Sequence, residues 1–424
     1  MRRAFILLAG AAVIAGGAAV MGDERAPAAS IHGAPLVAAP AAGPSAPATP
    51  SAAAPLGTLL DLDRMERVGE RYEAPLSDGR RAVLTLDPEL QTLAEKLLQQ
   101  SRAPRGGIVV MAPDGRILAL AGRRTEDPNG GLDGIYDWRL ATDVWAPAAS
   151  IFKIVTASAL VGAGVGAHDR VCYHGGVRSV MESNLTDSKR DSRCEDLSYG
   201  VAHSNNAILG KLAYQKLTPD RLEEMARKLG FVGALPGREL PGNAGKVELP
   251  ATRDLEFAKA AAGFLGTHLS AAGGALLATT FANEGEQPVP RLIASIDGTP
   301  QPVPEAKRVL PRSIAQEVNK MLVGTCESGS AARTFRRHRT VTVAGKTGTL
   351  STNEPFYMQH SWFVGFAPAE EPEVIVSVVL GNPMSWHIRG HEAAKRLIDL
   401  ALRDATSREK DRTASVTRSP RKQW

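Results

Sequence analysis

At 424 residues the chain is long enough for one large domain or two smaller ones, and a hydrophobic fraction of 43% suits a folded protein. A formal charge of +5 is mild for this length; with no P-loop, zinc-ligand spacing or aromatic-basic interleaving, nucleic acid is not an expected partner. The nine histidines are scattered without an H-E-x-x-H pair, so neither a metal site nor a cofactor is expected.

Met1-Arg-Arg3 precedes an apolar stretch over 4–22, a positive region followed by a hydrophobic one. Its length falls where signal peptides and single membrane-spanning helices overlap. The two arginines orient the rest of the chain outward. Residues 1–22 therefore read as a signal-anchor helix or a signal peptide. The expected location is the inner membrane, with the folded part in the periplasm or outside the cell. Residues 23–57, rich in Ala, Pro, Ser and Gly, read as an extended linker. A folded body is expected over 58–404, and a basic, disordered tail over 405–424.

Inside the body, 81–86 reads as a strand, and Asp87-Pro88 supplies a cap and first-turn proline for a helix through about residue 100. Apolar runs over 107–112 and 116–122 flank Pro113-Asp-Gly115, a hairpin signal. A helix is expected over 150–162, and the chain then reads as mainly helical to about 322. Cys172 and Cys194 stand in a loop-like stretch; they form a disulfide in an oxidising space or remain two buried thiols, with Cys326 unpaired in either case. Strands are expected over 340–350, 361–367 and 374–380, and a last amphipathic helix over 391–403. The fold class is α+β: a central antiparallel sheet of about five strands built from both chain ends and flanked by helices, with an all-helical subdomain inserted between the early and late strands.

Three short words recur in order: Ser150-Ile-Phe-Lys153, Ser204-Asn-Asn206 and Lys346-Thr-Gly-Thr349. Each is cheap alone, since Ser407-Arg-Glu-Lys410 repeats the first pattern and Ser351-Thr-Asn353 the second. Together they hold the parts for acyl transfer through a serine ester. Ser150 opens an apolar helical run, and Lys153 lies three residues on, along the same face. A lysine can act as base only if its pKa falls by about 3 units, roughly 4 to 5 kcal/mol. A helix dipole supplies at most about 2 kcal/mol of that. Burial and a second cation, for which Lys346 is the candidate, must supply the remainder. Ser204 could pass a proton to a leaving amine, and Asn206 could bond a substrate amide. Lys346, Thr347, Gly348 and Thr349 form a glycine-flanked strand suited to close approach by a ligand carboxylate. The Thr349 and Ser150 backbone N–H groups could pair as an oxyanion hole.

The three words in this order resemble those of penicillin-binding proteins, the penicillin-interacting serine transpeptidases. Leu84-Thr-Leu-Asp-Pro-Glu-Leu-Gln91, the hairpin after Gly107 and Trp362-Phe-Val-Gly-Phe-Ala-Pro368 are similar to flanking stretches of its high-molecular-mass members. The resemblance implies a D,D-transpeptidase in which peptidoglycan stem peptides, or β-lactams that mimic them, acylate Ser150. Lys153 would be the base, Ser204 the proton relay, and Asn206, Lys346, Thr347, Gly348 and Thr349 the binding groups. Other cell-wall synthesis proteins are the implied macromolecular partners. Hydrolytic readings, a D,D-carboxypeptidase or serine β-lactamase, share the acyl-enzyme; a third reading is a β-lactam sensor or scaffold without turnover. Two departures stand out: the family's Pro-Gly-Ser lead-in is here Pro147-Ala-Ala-Ser150, and the region before residue 81 is too short for a large pedestal.

Overall fold

The computed structural model describes residues 56–176, 178–336 and 341–417. The proposed anchor over 1–22 lies outside them, as does the linker over 23–57 except for Leu56 and Gly57, which open a short helix, Leu56–Leu59. Among the described residues, no helix is long and apolar enough to cross a membrane.

The centre of the body is a six-stranded antiparallel sheet. In chain order its strands are β1 (Arg105–Met111), β2 (Ile117–Arg124), β3 (Ile135–Tyr136), β4 (Ala344–Thr352), β5 (Met358–Ala367) and β6 (Val374–Asn382). Their spatial order is β4-β5-β6-β1-β2-β3, so the late strands join the early hairpin through β6 and β1. The expected union of both chain ends in one sheet is what forms, with five long strands and the two-residue β3 at the edge. All nine residues of β6 are buried, which is why its sequence is mostly apolar, broken by Ser377 and by Asn382 at its end, instead of alternating: both faces are covered.

One face carries helices α1 (Pro88–Ser101) and α7 (Gly390–Thr417). Their Leu90, Leu97, Leu397 and Ile398 pack with Ile108, Val110, Val376 and Val378. Asp87 caps α1 as expected, its carboxylate accepting from the Glu89 and Leu90 amides. Helix α7 runs well past the expected end near residue 403, because Ala, Arg, Glu and Lys continue it with no Gly or Pro inside. The opposite face receives α5 (Ala271–Ala282), whose small residues allow a close approach. A Cβ on Gly274 would stand 2.5 Å from Ser377 Oγ.

Between β3 and β4 lies the inserted subdomain. It contains α2 (Lys153–Gly162), α3 (Leu197–Ala202), α4 (Asn206–Lys216), α5 and α6 (Arg312–Glu327). It is not all-helical. Short strands Ala146–Pro147, Gly233–Ala234, Asn243–Val247 and Thr267–Leu269 make a small sheet, and strands of two to five residues in Gly- and Pro-rich sequence carry no readable alternation. The strand Arg81–Leu84 also departs from expectation by joining a separate five-stranded sheet, paired with Arg71–Pro75 and Ile293–Ile296. Cys172 and Cys194 form a disulfide across the pair Val171–Tyr173 and Arg193–Glu195, while Cys326 is a free, buried thiol.

Candidate active site

The approach to Ser150 is fixed from three sides. Ala146–Pro147 pairs with Thr267–Leu269, the Ala148 N–H donates to the Thr267 carbonyl at 2.9 Å, and the Trp362 indole N–H donates to the Pro147 carbonyl at 2.9 Å. Ala149 then takes a left-handed backbone, φ +50°. The lead-in thus keeps a glycine-like conformation although alanine stands there. Gly263 lies against this turn so closely that a Cβ on it would sit 2.1 Å from the Ala149 carbonyl oxygen. A 3₁₀ turn, Ala149–Phe152, carries Ser150 into α2.

Ser150 is not a helix cap: neither the turn nor α2 has a side-chain cap hydrogen bond. Its Oγ instead lies 2.7 Å from Lys153 Nζ. Lys153 is wholly buried, and its Nζ also donates to Asn206 Oδ1 at 2.7 Å and to the Ala262 carbonyl at 2.6 Å. Burial pushes the Lys153 amine well below its usual range, and the charge of Lys346 pushes it further in the same direction. Lys346 is equally buried, which lowers it to about 7.

Lys346 sits on β4, whose Gly348 lies beside the serine turn: a Cβ there would be 3.3 Å from Ile151 Cγ1. Lys346 Nζ donates to the Thr347 carbonyl at 3.1 Å. Thr347, Gly348 and Thr349 line a cavity of about 660 Å³ together with Ser330, Gln359, Trp386 and Arg389. No Asp or Glu is among its described lining residues.

The structure therefore brings Ser150, Lys153 and Asn206 into one hydrogen-bonded cluster, with Lys346 close enough to act on Lys153 and the β4 strand alongside. Asn206, expected at a substrate amide, here presents its oxygen to the lysine. Ser204 is half-buried with φ +55°, two residues before Asn206, and its hydroxyl makes no hydrogen bond among the described residues. Two contributors escape the sequence: the Ala262 carbonyl, since a backbone group has no side-chain signature, and Gly263, one of 41 glycines. The look-alike words do not assemble a site. Ser351 is exposed at the end of β4, and the Ser407 to Lys410 word lies far along α7.

The sequence profile of the penicillin binding protein transpeptidase domain matches residues 106–399, which includes all three words. A protein of Neisseria meningitidis named probable peptidoglycan D,D-transpeptidase PenA is 27% identical over 343 residues, covering 76% of this chain and 56% of the relative. The chain thus spans about half the length of that relative. The peptidoglycan D,D-transpeptidase PbpA of Mycolicibacterium smegmatis is 26% identical, covering 71% of this chain and 67% of the relative. Among solved structures, PBPA of Mycobacterium tuberculosis superposes with a TM-score of 0.62 at 22% identity, over 78% of this chain and 82% of that one. A ceftriaxone acyl-enzyme complex of the same protein is also similar, at TM-score 0.62 and 21% identity, covering 77% of this chain and 80% of that chain. A match of this extent, on a sheet and site assembled as described, places the chain in the penicillin-binding protein transpeptidase family.

Proposed function

We propose that the protein is a serine D,D-transpeptidase that cross-links peptidoglycan stem peptides and is acylated by β-lactams at Ser150. One observation carries this reading: a buried lysine with a lowered pKa stands 2.7 Å from the serine hydroxyl. A neutral amine has two N–H groups and one lone pair. The two donors are used by Asn206 and Ala262, which leaves the lone pair facing Ser150 Oγ.

Ser150 Oγ attacks the carbonyl of the penultimate D-Ala while its proton passes to Lys153 Nζ. The peptide C–N bond breaks, and the leaving D-Ala nitrogen takes that proton from Lys153, relayed by the Ser204 hydroxyl. An acceptor amine then attacks the Ser150 ester, losing its proton along the same route, and the serine is released. The Ser150 and Thr349 amides serve the developing oxyanion, and Lys346, Thr347, Gly348 and Thr349 receive the terminal carboxylate.

The chain is further proposed to be anchored in the inner membrane by residues 1–22, with the catalytic domain in the periplasm or outside the cell, beside other wall-synthesis proteins. The arginine-led apolar segment and the Cys172–Cys194 disulfide support this.

Fluorescent penicillin tests the central claim. The wild-type protein should label and Ser150→Ala should not; labelling that persists in the variant moves the nucleophile elsewhere. An adduct lasting hours fits a transpeptidase, whereas release within seconds would make the protein a β-lactamase. Stem peptide supplied with an acceptor amine should give cross-linked product.

A further inference from the structure

Ser330 lies in the loop between α6 and the short helix Ala332–Phe335, outside all three words. Its Oγ is 2.6 Å from Thr347 Oγ1, and both residues line the cavity beside β4. Its backbone N–H donates to the Ala202 carbonyl at 3.0 Å. Gly329 presses on the same carbonyl, at a distance where a Cβ would stand 2.1 Å from the oxygen. The loop therefore ties the end of α3, two residues before Ser204, to the strand that carries Lys346.

Each hydroxyl has one proton and two lone pairs. A carboxylate only accepts. Thr347 can serve one only if its own proton points into the cavity, and then its oxygen is free to accept from a neighbour. Ser330 is that neighbour. Lys346 Nζ bonds the Thr347 backbone carbonyl and, among the described residues, makes no bond to the Thr347 hydroxyl. The two hydroxyls then form a directed chain, Ser330 Oγ–H to Thr347 Oγ1 and Thr347 Oγ–H to the ligand, in which each bond polarises the next.

We propose that Ser330 is a positioning residue for carboxylate recognition, fixing the direction of the Thr347 hydroxyl so that it donates to the terminal carboxylate of a stem peptide or β-lactam. This rests on the acyl-serine reading of the same site. The backbone link to Ala202 does not use the side chain, so Ser330→Ala removes the hydroxyl alone.

The test compares benzylpenicillin with its methyl ester on the wild-type protein, Ser330→Ala and Ser330→Thr, by stopped-flow acylation and thermal melting. With benzylpenicillin, Ser330→Ala should lower acylation efficiency about tenfold, the scale of a hydrogen bond that serves a charged group. The loss should appear in the half-saturating concentration, with the limiting rate unchanged. With the ester, the change should stay below twofold. Ser330→Thr should restore benzylpenicillin to within twofold of wild type. Equal losses on acid and ester, a loss confined to the limiting rate, or no loss with the acid would each overturn the positioning role while leaving Ser150 acylation intact. A wild-type protein that benzylpenicillin does not acylate would instead overturn the underlying reading.

Discussion

At Ala149, the residue before the nucleophile, φ is +50° and the side chain is buried. For an L-residue the left-handed region costs roughly 1 to 2 kcal/mol, because Cβ crowds the carbonyl. Ala149→Gly relieves that strain and loses one buried methyl, about 0.8 kcal/mol. Its melting temperature should stay within about 3 °C of wild type, and penicillin acylation within threefold. Ala149→Val adds a β-branched side chain at a backbone angle it rarely tolerates, inside a packed site. Acylation there should fall more than a hundredfold; a valine variant that acylates at the wild-type rate would show that the turn does not set the serine. Sequence reading finds Ser150, Lys153 and Lys346 because their side chains are themselves the signal. It does not find the Ala262 carbonyl, which has no side-chain signature, or Ser330, which is one serine among many. Nor does it reveal that Asn206 attends Lys153, since a role that depends on which amide atom faces a lysine is decided by packing.

Helix α4 begins with Asn206 and is held from behind by the disulfide-closed loop. Lys211 on that helix is buried, and its Nζ donates to the Cys172 carbonyl at 2.7 Å and to Asp191 Oδ2 at 2.8 Å. The Asp191 side chain is only 6% exposed, lies 2.6 Å from His174 Nδ1, and accepts from the Ser188 amide. Burial pulls the Asp191 carboxyl up, but the bonds from His174 and Lys211 outweigh it and hold the carboxyl at about 2. The Gly176 carbonyl accepts from the Ala207 N–H at 3.1 Å, directly beside Asn206. Asp191→Asn leaves Lys211 the Cys172 carbonyl and, among the described residues, only one carboxylate, Asp187, which is almost fully exposed. Breaking a buried pair on one side costs about 3 to 5 kcal/mol, so this variant should unfold at markedly lower urea concentration. Adding Lys211→Met removes the stranded charge and should recover at least half of the loss. If the double variant is no more stable than the single, the pair is not what anchors α4. The spacing of Cys172 and Cys194 suggests their bond from sequence. The ion pair behind it does not show there, because His174, Asp191 and Lys211 come from three separate segments with no common period. Strands β1, β2, β5 and β6 are readable as apolar runs and β4 from its glycine-flanked lysine word, whereas the short strands of the insertion are not.

Across the whole molecule, Lys153 and Lys346, the two buried lysines of the site, set a pH dependence of stability whose sign follows from linkage. An exposed lysine titrates near 10.4, while Lys346 in the fold titrates at about 7 and Lys153 is lowered in the same direction. Between those limits the unfolded chain binds protons that the native protein does not, so stability rises with pH. Each lysine contributes about 1.4 kcal/mol per pH unit within its window. The buried Cys326 thiol is pushed up by burial and acts oppositely above about pH 8.5, where an ordinary thiol ionises. The informative range is therefore pH 7 to 8.5, over which Lys346 alone adds roughly 2 kcal/mol. At constant ionic strength the melting temperature should climb by several degrees across that range. Lys346→Met should be more stable than wild type at pH 7 and should show a visibly shallower climb, because only Lys153 continues to shift. The same substitution removes the charge that helps depress Lys153, so the acid limb of penicillin acylation should move to higher pH. A wild-type melting temperature that is flat or falling between pH 7 and 8.5, or a methionine variant with an unchanged slope, would mean that neither lysine enters the folded core by giving up its proton. The amine beside Ser150 would then lack the free lone pair on which acyl transfer depends.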